Sequence, residues 1–159
     1  MMVAILATIT MVSCKKEEKP IDQPTDKSVV ELSGTISGNR TLDKDSVYLL
    51  KGFVRVGEDL TLSGTPTKTG ILTIEPGTVI LGDRETKGTL IIHRGSRILA
   101  EGTADNPIIF TSEKGPGLKN PGDWGGVVIC GKATNNFPGG SAELEGGYGA
   151  FNGGNDDAD

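Results

Sequence analysis

Aromatic residues make up 4% of the chain, histidine occurs once, and no stretch carries apolar residues at sustained 3.6-residue spacing. The scarcity of rings means that any core is built from Ile, Leu and Val. With 24 glycines to supply turns, that composition points to a turn-rich β architecture and away from a helical bundle. A single histidine leaves no pair for a two-histidine metal site. There is no phosphate-binding loop, dinucleotide fingerprint, Cys-x-x-Cys pair or nucleophile elbow, so the common nucleotide, redox and hydrolase signatures are missing. A basic patch is missing too. The net charge is -5, and residues 139–159 contain Glu143, Glu145, Asp156, Asp157 and Asp159 without one Lys or Arg. The rest of the chain balances 16 acids against 16 bases, which leaves no electrostatic footprint for nucleic acid.

What is present begins with "MMVAILATITMVSC". Residues 1–13 carry no charge, and as a helix they reach about 20 Å, short of the ~30 Å hydrocarbon core, so they read as a signal-peptide segment. "MVSC" resembles a bacterial lipobox, which implies cleavage before Cys14 and diacylation of its thiol. It departs from that pattern at Met11 and Ser13, and a basic stretch ahead of the apolar run is missing, which points to a start upstream of Met1. The following "KKEEKP" resembles the export signal of Bacteroidetes surface lipoproteins, with Lys16, Glu17 and Glu18 in its places. These resemblances imply a lipoprotein held at the outer face of the outer membrane. Acyl chains would supply the anchoring that a short apolar run cannot, at about 0.8 kcal/mol per buried methylene. Residues 14–30, with two prolines and mixed charge, read as the lipidated cysteine and a flexible tether. With Cys14 acylated, Cys130 has no disulfide partner.

From residue 31 onward, short β-type runs alternate with Gly, Asn and Asp turns. "ILTIEPGTVILGD", residues 71–83, is echoed by "TLIIHRGSRILAE", residues 89–101, and "FVRVGEDLTLSG", residues 53–64, precedes both in the same register. Each unit holds two apolar i, i+2 pairs, which put both members on one strand face. A fixed period with short strands predicts a β-solenoid with coils of about 18 residues, two strands per coil and a polar, variable third side. Every sixth position from Val56 partly matches a left-handed hexapeptide helix. Failures at Lys68, Thr86 and Ala104 favour a right-handed parallel β-helix instead.

"LTIEPGTVI", "EGTADNPIIFTS" and "DWGGVVICGKA" together resemble the extracellular right-handed parallel β-helix lipoproteins and secreted proteins of Bacteroidetes, relatives in fold of the pectin-lyase-like superfamily. The resemblance implies that residues 31–159 form the N-terminal portion of a longer β-helix, since "ELEGGYGAFNGGNDDAD" leads into further coils in that family.

Candidate sites follow from the period. His93 lies beside inward Ile92 and is expected outward, exposed and without a role. Asp83 and Glu101 fall on the same repeat position and are expected to stack as a solvated turn pair, with calcium binding or acid/base work as the sharper reading. Arg84, Lys87, Arg94 and Arg97 are cations that a polysaccharide lyase could use. Trp124, flanked by Gly125 and Gly126, either covers a coil edge or stacks on a sugar, and is the one candidate ligand-binding residue. "GGNDDAD" resembles a calcium nonapeptide but occurs once and is expected to be an acidic loop. No cofactor, metal or catalytic residue is assigned. The expected function is a non-enzymatic adhesion, glycan-binding or scaffold module, with extracellular polysaccharide or a cell-surface protein as partner and the membrane reached through the lipid anchor. The alternative is a carbohydrate-active lyase or hydrolase whose groove runs along further coils.

Overall fold

A computed structural model describes residues 27–59 and 66–153. The first coil contains β1 (Val29–Leu32), β2 (Thr35–Ile36) and β3 (Gly38–Leu42), and the second contains β4 (Val47–Leu50), β5 (Phe53–Val56) and β6 (Gly70–Ile74). A third coil adds β7 (Val79–Gly82), β8 (Thr89–Ile92) and β9 (Arg97–Leu99). The fourth contributes β10 (Ile109–Ser112) and β11 (Gly126–Ile129), then leaves the pattern as a hairpin, β12 (Ser141–Leu144) and β13 (Gly149–Asn152). Equivalent strands pair in parallel to make three faces: sheet A from β1, β4, β7 and β10, sheet B from β2, β5, β8 and β11, and sheet C from β3, β6 and β9. This is a parallel β-helix. The only helical element among the described residues is a 3-10 turn at Pro138–Gly140.

The core fills because inward positions repeat from coil to coil. Val54 stacks on Leu90 and Val56 on Ile92 in sheet B, Leu72 on Ile98 in sheet C, and Tyr48 on Ile80 and then Phe110 in sheet A. Val54, Val56 and Leu72 are wholly buried. Burying an aliphatic side chain of this size contributes about 1.5–3 kcal/mol, which no single coil can collect alone. Val127 and Ile129 continue the inward columns over Leu90 and Ile92, yet they are 40% and 66% exposed because β11 is the edge strand of its sheet. Sheet A is apolar on its outward side as well, where Val47, Val79 and Leu81 form a second buried cluster. "VYLL" and "VILG" are near-continuous apolar runs, the mark of strands covered on both faces.

The echo between residues 71–83 and 89–101 is not the stacking period. Val29 pairs with Val47, Val47 with Val79, and Val79 with Ile109, so the chain between stacked partners is unequal and grows well beyond the echo after the first coil. The first three coils have three strands each rather than two, as the β3, β6 and β9 face shows. What the echo repeats is a corner. "EPGT", residues 75–78, joins β6 to β7, and "HRGS", residues 93–96, joins β8 to β9. Both close with a backbone bond between their ends, Thr78 N–H to Glu75 O at 3.2 Å and Ser96 N–H to His93 O at 3.0 Å. Both also place glycine third, Gly77 at φ 86° and Gly95 at φ 72°, where a side chain would be strained. Similar local chemistry therefore builds corners on different edges of the triangle. The inward alternation survives across them, with Ile74 and Ile80 both inward, and Ile92 and Ile98 likewise.

Candidate functional site

The three edges of the coil carry very different lengths of chain. At the corner between sheets B and C, coil 1 turns through Ser37 alone, whereas in coil 2 Glu58 pairs antiparallel with Lys68 between the end of β5 and the start of β6. Coil 3 returns to a short turn, 93–96, and coil 4 leaves for the hairpin. The short turn of coil 3 supplies His93 and Arg94, and it lies between coil 2, which brings Asp59, and coil 4, which brings Cys130 and the hairpin. The register explains the meeting: Val56, Ile92 and Ile129 stack, so Gly57, His93 and Cys130 follow them at equivalent places.

These residues share a cleft with Ile91, Leu144 and Tyr148. The Arg94 and Asp59 side chains are 4% and 5% exposed and form an ion pair through Arg94 Nε. Removing either partner of such a pair leaves an uncompensated buried charge. Arg94 Nη2 and His93 Nε2 are both buried and have no hydrogen-bond partner. Burial pushes the His93 pKa down from its ordinary value, with Arg55 adding to the effect and Asp59 and Glu58 opposing it. Burial pushes the Cys130 thiol up, Asp59 reinforces the shift, and Arg94 counters it. The imidazole is therefore neutral and the thiol protonated near neutral pH, and a protonated thiol is a poor nucleophile. The hairpin is held over sheet B by Tyr148, whose hydroxyl donates to Gly125 O at 3.1 Å. Its ring centroid lies 5.3 Å from that of Phe53, and the Arg55 guanidinium sits over the Phe53 ring.

The corner between sheets A and B also gathers charge, but there each named acid is committed. Lys51 bridges Glu31 at 3.4 Å and Asp83 at 3.9 Å. Asp83 accepts from Thr86 N–H at 2.7 Å and from its hydroxyl, and these bonds hold its pKa below the ordinary value. Asp123 takes Lys114 Nζ at 2.8 Å, Asn120 N–H at 2.8 Å and Ser112 Oγ at 3.2 Å. Led by the Lys114 contact, these partners lower its pKa to about 2.

Several expectations change at this level. His93 is half-buried and faces the cleft instead of standing exposed, because the hairpin folds over its side of sheet B. Asp83 does not stack on Glu101. Its neighbours in the sheet A register are the positions after Leu50 and Ser112, namely Lys51 and Glu113, while Glu101 is exposed after β9. The four cations separate, with Arg84 and Lys87 at the A–B corner and Arg94 and Arg97 beside the B–C corner. Trp124 is half-buried and packed on the core, with its ring over Gly82, where a Cβ would lie 2.4 Å from the Trp124 Cβ. That glycine interrupts the inward column of Leu32 and Leu50, and the indole fills the gap. Cys14, Lys16, Glu17 and Glu18 lie outside the described residues, as do residues 154–159 of the acidic loop. Asp59, Cys130 and Tyr148 had no place among the sequence candidates. The signal that finds them is the register after β5, β8 and β11, which the echo in the sequence conceals.

Among the described residues no three His, Cys, Asp or Glu side chains converge on a point that could hold a metal ion, and no helix is long and apolar enough to cross a membrane. Residues 34–159 match the model of the pectate-lyase-like β-helix domain family, and the chain belongs to that family. No curated protein and no solved structure matches it.

Proposed function

With a pectate-lyase-like β-helix domain as the premise, we propose that the protein is a binding module displayed at the cell surface. It is acylated at Cys14, tethered by the segment between Cys14 and β1, held at the outer face of the outer membrane, and takes a glycan at the corner between sheets B and C. The observation that carries this reading is the pair of buried, unpartnered nitrogens of Arg94 and His93, on residues that line a cleft shared by three successive coils. A buried donor without an acceptor costs about 1–3 kcal/mol, and binding sites are where such a cost is recovered. The charged groups around the cleft favour recognition over turnover. Asp59 is paired to Arg94, and burial pushes the Cys130 thiol up, away from its nucleophilic thiolate form.

A carbohydrate-active enzyme is the second reading, favoured by the family match, although fold is weak support for chemistry. Incubation of the protein with a panel of polysaccharides separates the two. Retention on a glycan with unchanged chain length is the expected result, and release of unsaturated or reducing ends would overturn the binding-only reading. The anchor is tested by Cys14→Ala, which is expected to move the protein from the membrane to the soluble fraction.

A further inference from the structure

We propose that the cleft at the corner between sheets B and C recognises the acetamido group of an N-acetylated sugar, with its carbonyl oxygen accepting hydrogen bonds from Arg94 Nη2 and His93 Nε2. The proposal deepens the glycan-binding reading and rests on it.

The argument starts from valence. A guanidinium nitrogen is a donor only, so the unpartnered Arg94 Nη2 calls for an acceptor. His93 Nε2, in the tautomer with its proton there, is a second donor lining the same cleft. Charge narrows the acceptor. The Asp59 carboxylate already neutralises Arg94, so a carboxylate, sulfate or phosphate entering the cleft would meet that anion at close range. A neutral carbonyl oxygen takes the donors without that repulsion.

Size and lining narrow it further. The cleft volume is about 10 Å³, the room of a single water or one ligand oxygen. Ile91, Leu144 and Ala150 form an apolar wall against which an acetamido methyl can be buried. Tyr148 and Phe151 line the same cleft, and aromatic rings are what the apolar side of a pyranose packs on. A donor pair, a neutral balance, a methyl-sized apolar wall and aromatic rings are together what an N-acetylated sugar presents partners for.

The test is calorimetric titration of the chain with the tetramer of N-acetylglucosamine, with the same tetramer after deacetylation, and with an N-acetylated tripeptide. Binding of the first alone is expected, with affinity falling about tenfold or more on deacetylation, as loss of one to two buried hydrogen bonds implies. Arg94→Lys keeps a cation opposite Asp59 but removes Nη2. It is expected to weaken binding about tenfold, and His93→Gln, which retains a donor, to weaken it less. A readout that needs no variant is the imidazole 15N shift of His93, expected to move on addition of the acetylated tetramer and not of the deacetylated one. Equal binding of both tetramers overturns the acetamido assignment and leaves glycan binding standing. Binding of the peptide alone overturns both. An ordered water only, bridging the two nitrogens with no shift at His93, overturns the site.

Discussion

The two polar corners of the coil each set a buried aspartate against a cation, and they end in opposite states. At the A–B corner, Asp83 and Asp123 each meet backbone donors, a hydroxyl and a lysine, and the charges form a closed set that fastens loops 83–88 and 113–125 to the stack. At the B–C corner an arginine and a carboxylate are buried together, yet a guanidinium nitrogen and an imidazole nitrogen have no partner. A buried polar set that is complete serves the fold. One that is incomplete carries a cost, and that difference separates the corner that holds the structure from the corner that can hold a ligand.

The strongest way to break the comparison is at Arg94. Arg94→Met strands the Asp59 carboxylate in a buried setting and is expected to destabilise the domain by about 3–5 kcal/mol in urea unfolding. A loss below about 1 kcal/mol would mean that the pair is solvated and the corner is ordinary surface. Gly82→Ala puts a Cβ into the Trp124 ring and is expected to cost about 1–3 kcal/mol. Because Trp124 is the only tryptophan, its emission should shift to the red as the ring leaves the core. An unshifted spectrum would show that the indole was not packed there.

The remaining two predictions concern pH and run at the two corners separately. Asp123 has its pKa lowered from 3.8 to about 2, so its contribution to stability is complete above about pH 4 and is lost as the pH falls through about 2. Asp123→Asn should therefore be less stable than the parent at neutral pH, with the gap closing in acid. A constant gap from neutral pH down to about pH 2 would contradict the ion-pair account. His93 is also shifted down, so the closed B–C corner refuses a proton that an open corner accepts. Its contribution is complete above the ordinary value of 6.5 and declines as the pH falls below that. Amide protection in β8 and β13, corrected for intrinsic exchange, should fall in this window in the parent and not in His93→Gln, the smallest of the four effects.

Part of this was legible before any coordinates. The inward columns of Leu72, Ile74, Ile80, Leu90, Ile92 and Ile98 are visible as i, i+2 pairs, because a strand alternates its faces regardless of what surrounds it. Residues 126–129 follow the same alternation, with Val127 and Ile129 on the core side. The stacking register was not legible, and the reason is specific. Two corners of similar sequence, 75–78 and 93–96, produce the echo, while insertions of unequal length at the A–B and B–C corners set the true spacing. Local similarity reports the turn that a segment makes, not which edge of the coil it makes it on.

By itself, then, the sequence determined the class of the fold and the identity of its core, since glycine-rich turns, few rings and paired aliphatics leave a stacked β-coil as the way to bury those side chains. Tertiary structure alone decided that Asp59, Arg94, His93 and Cys130 would meet. They lie in three different coils, and their approach depends on parallel register and on a hairpin folding back over sheet B, neither of which is encoded in the neighbourhood of any one of them.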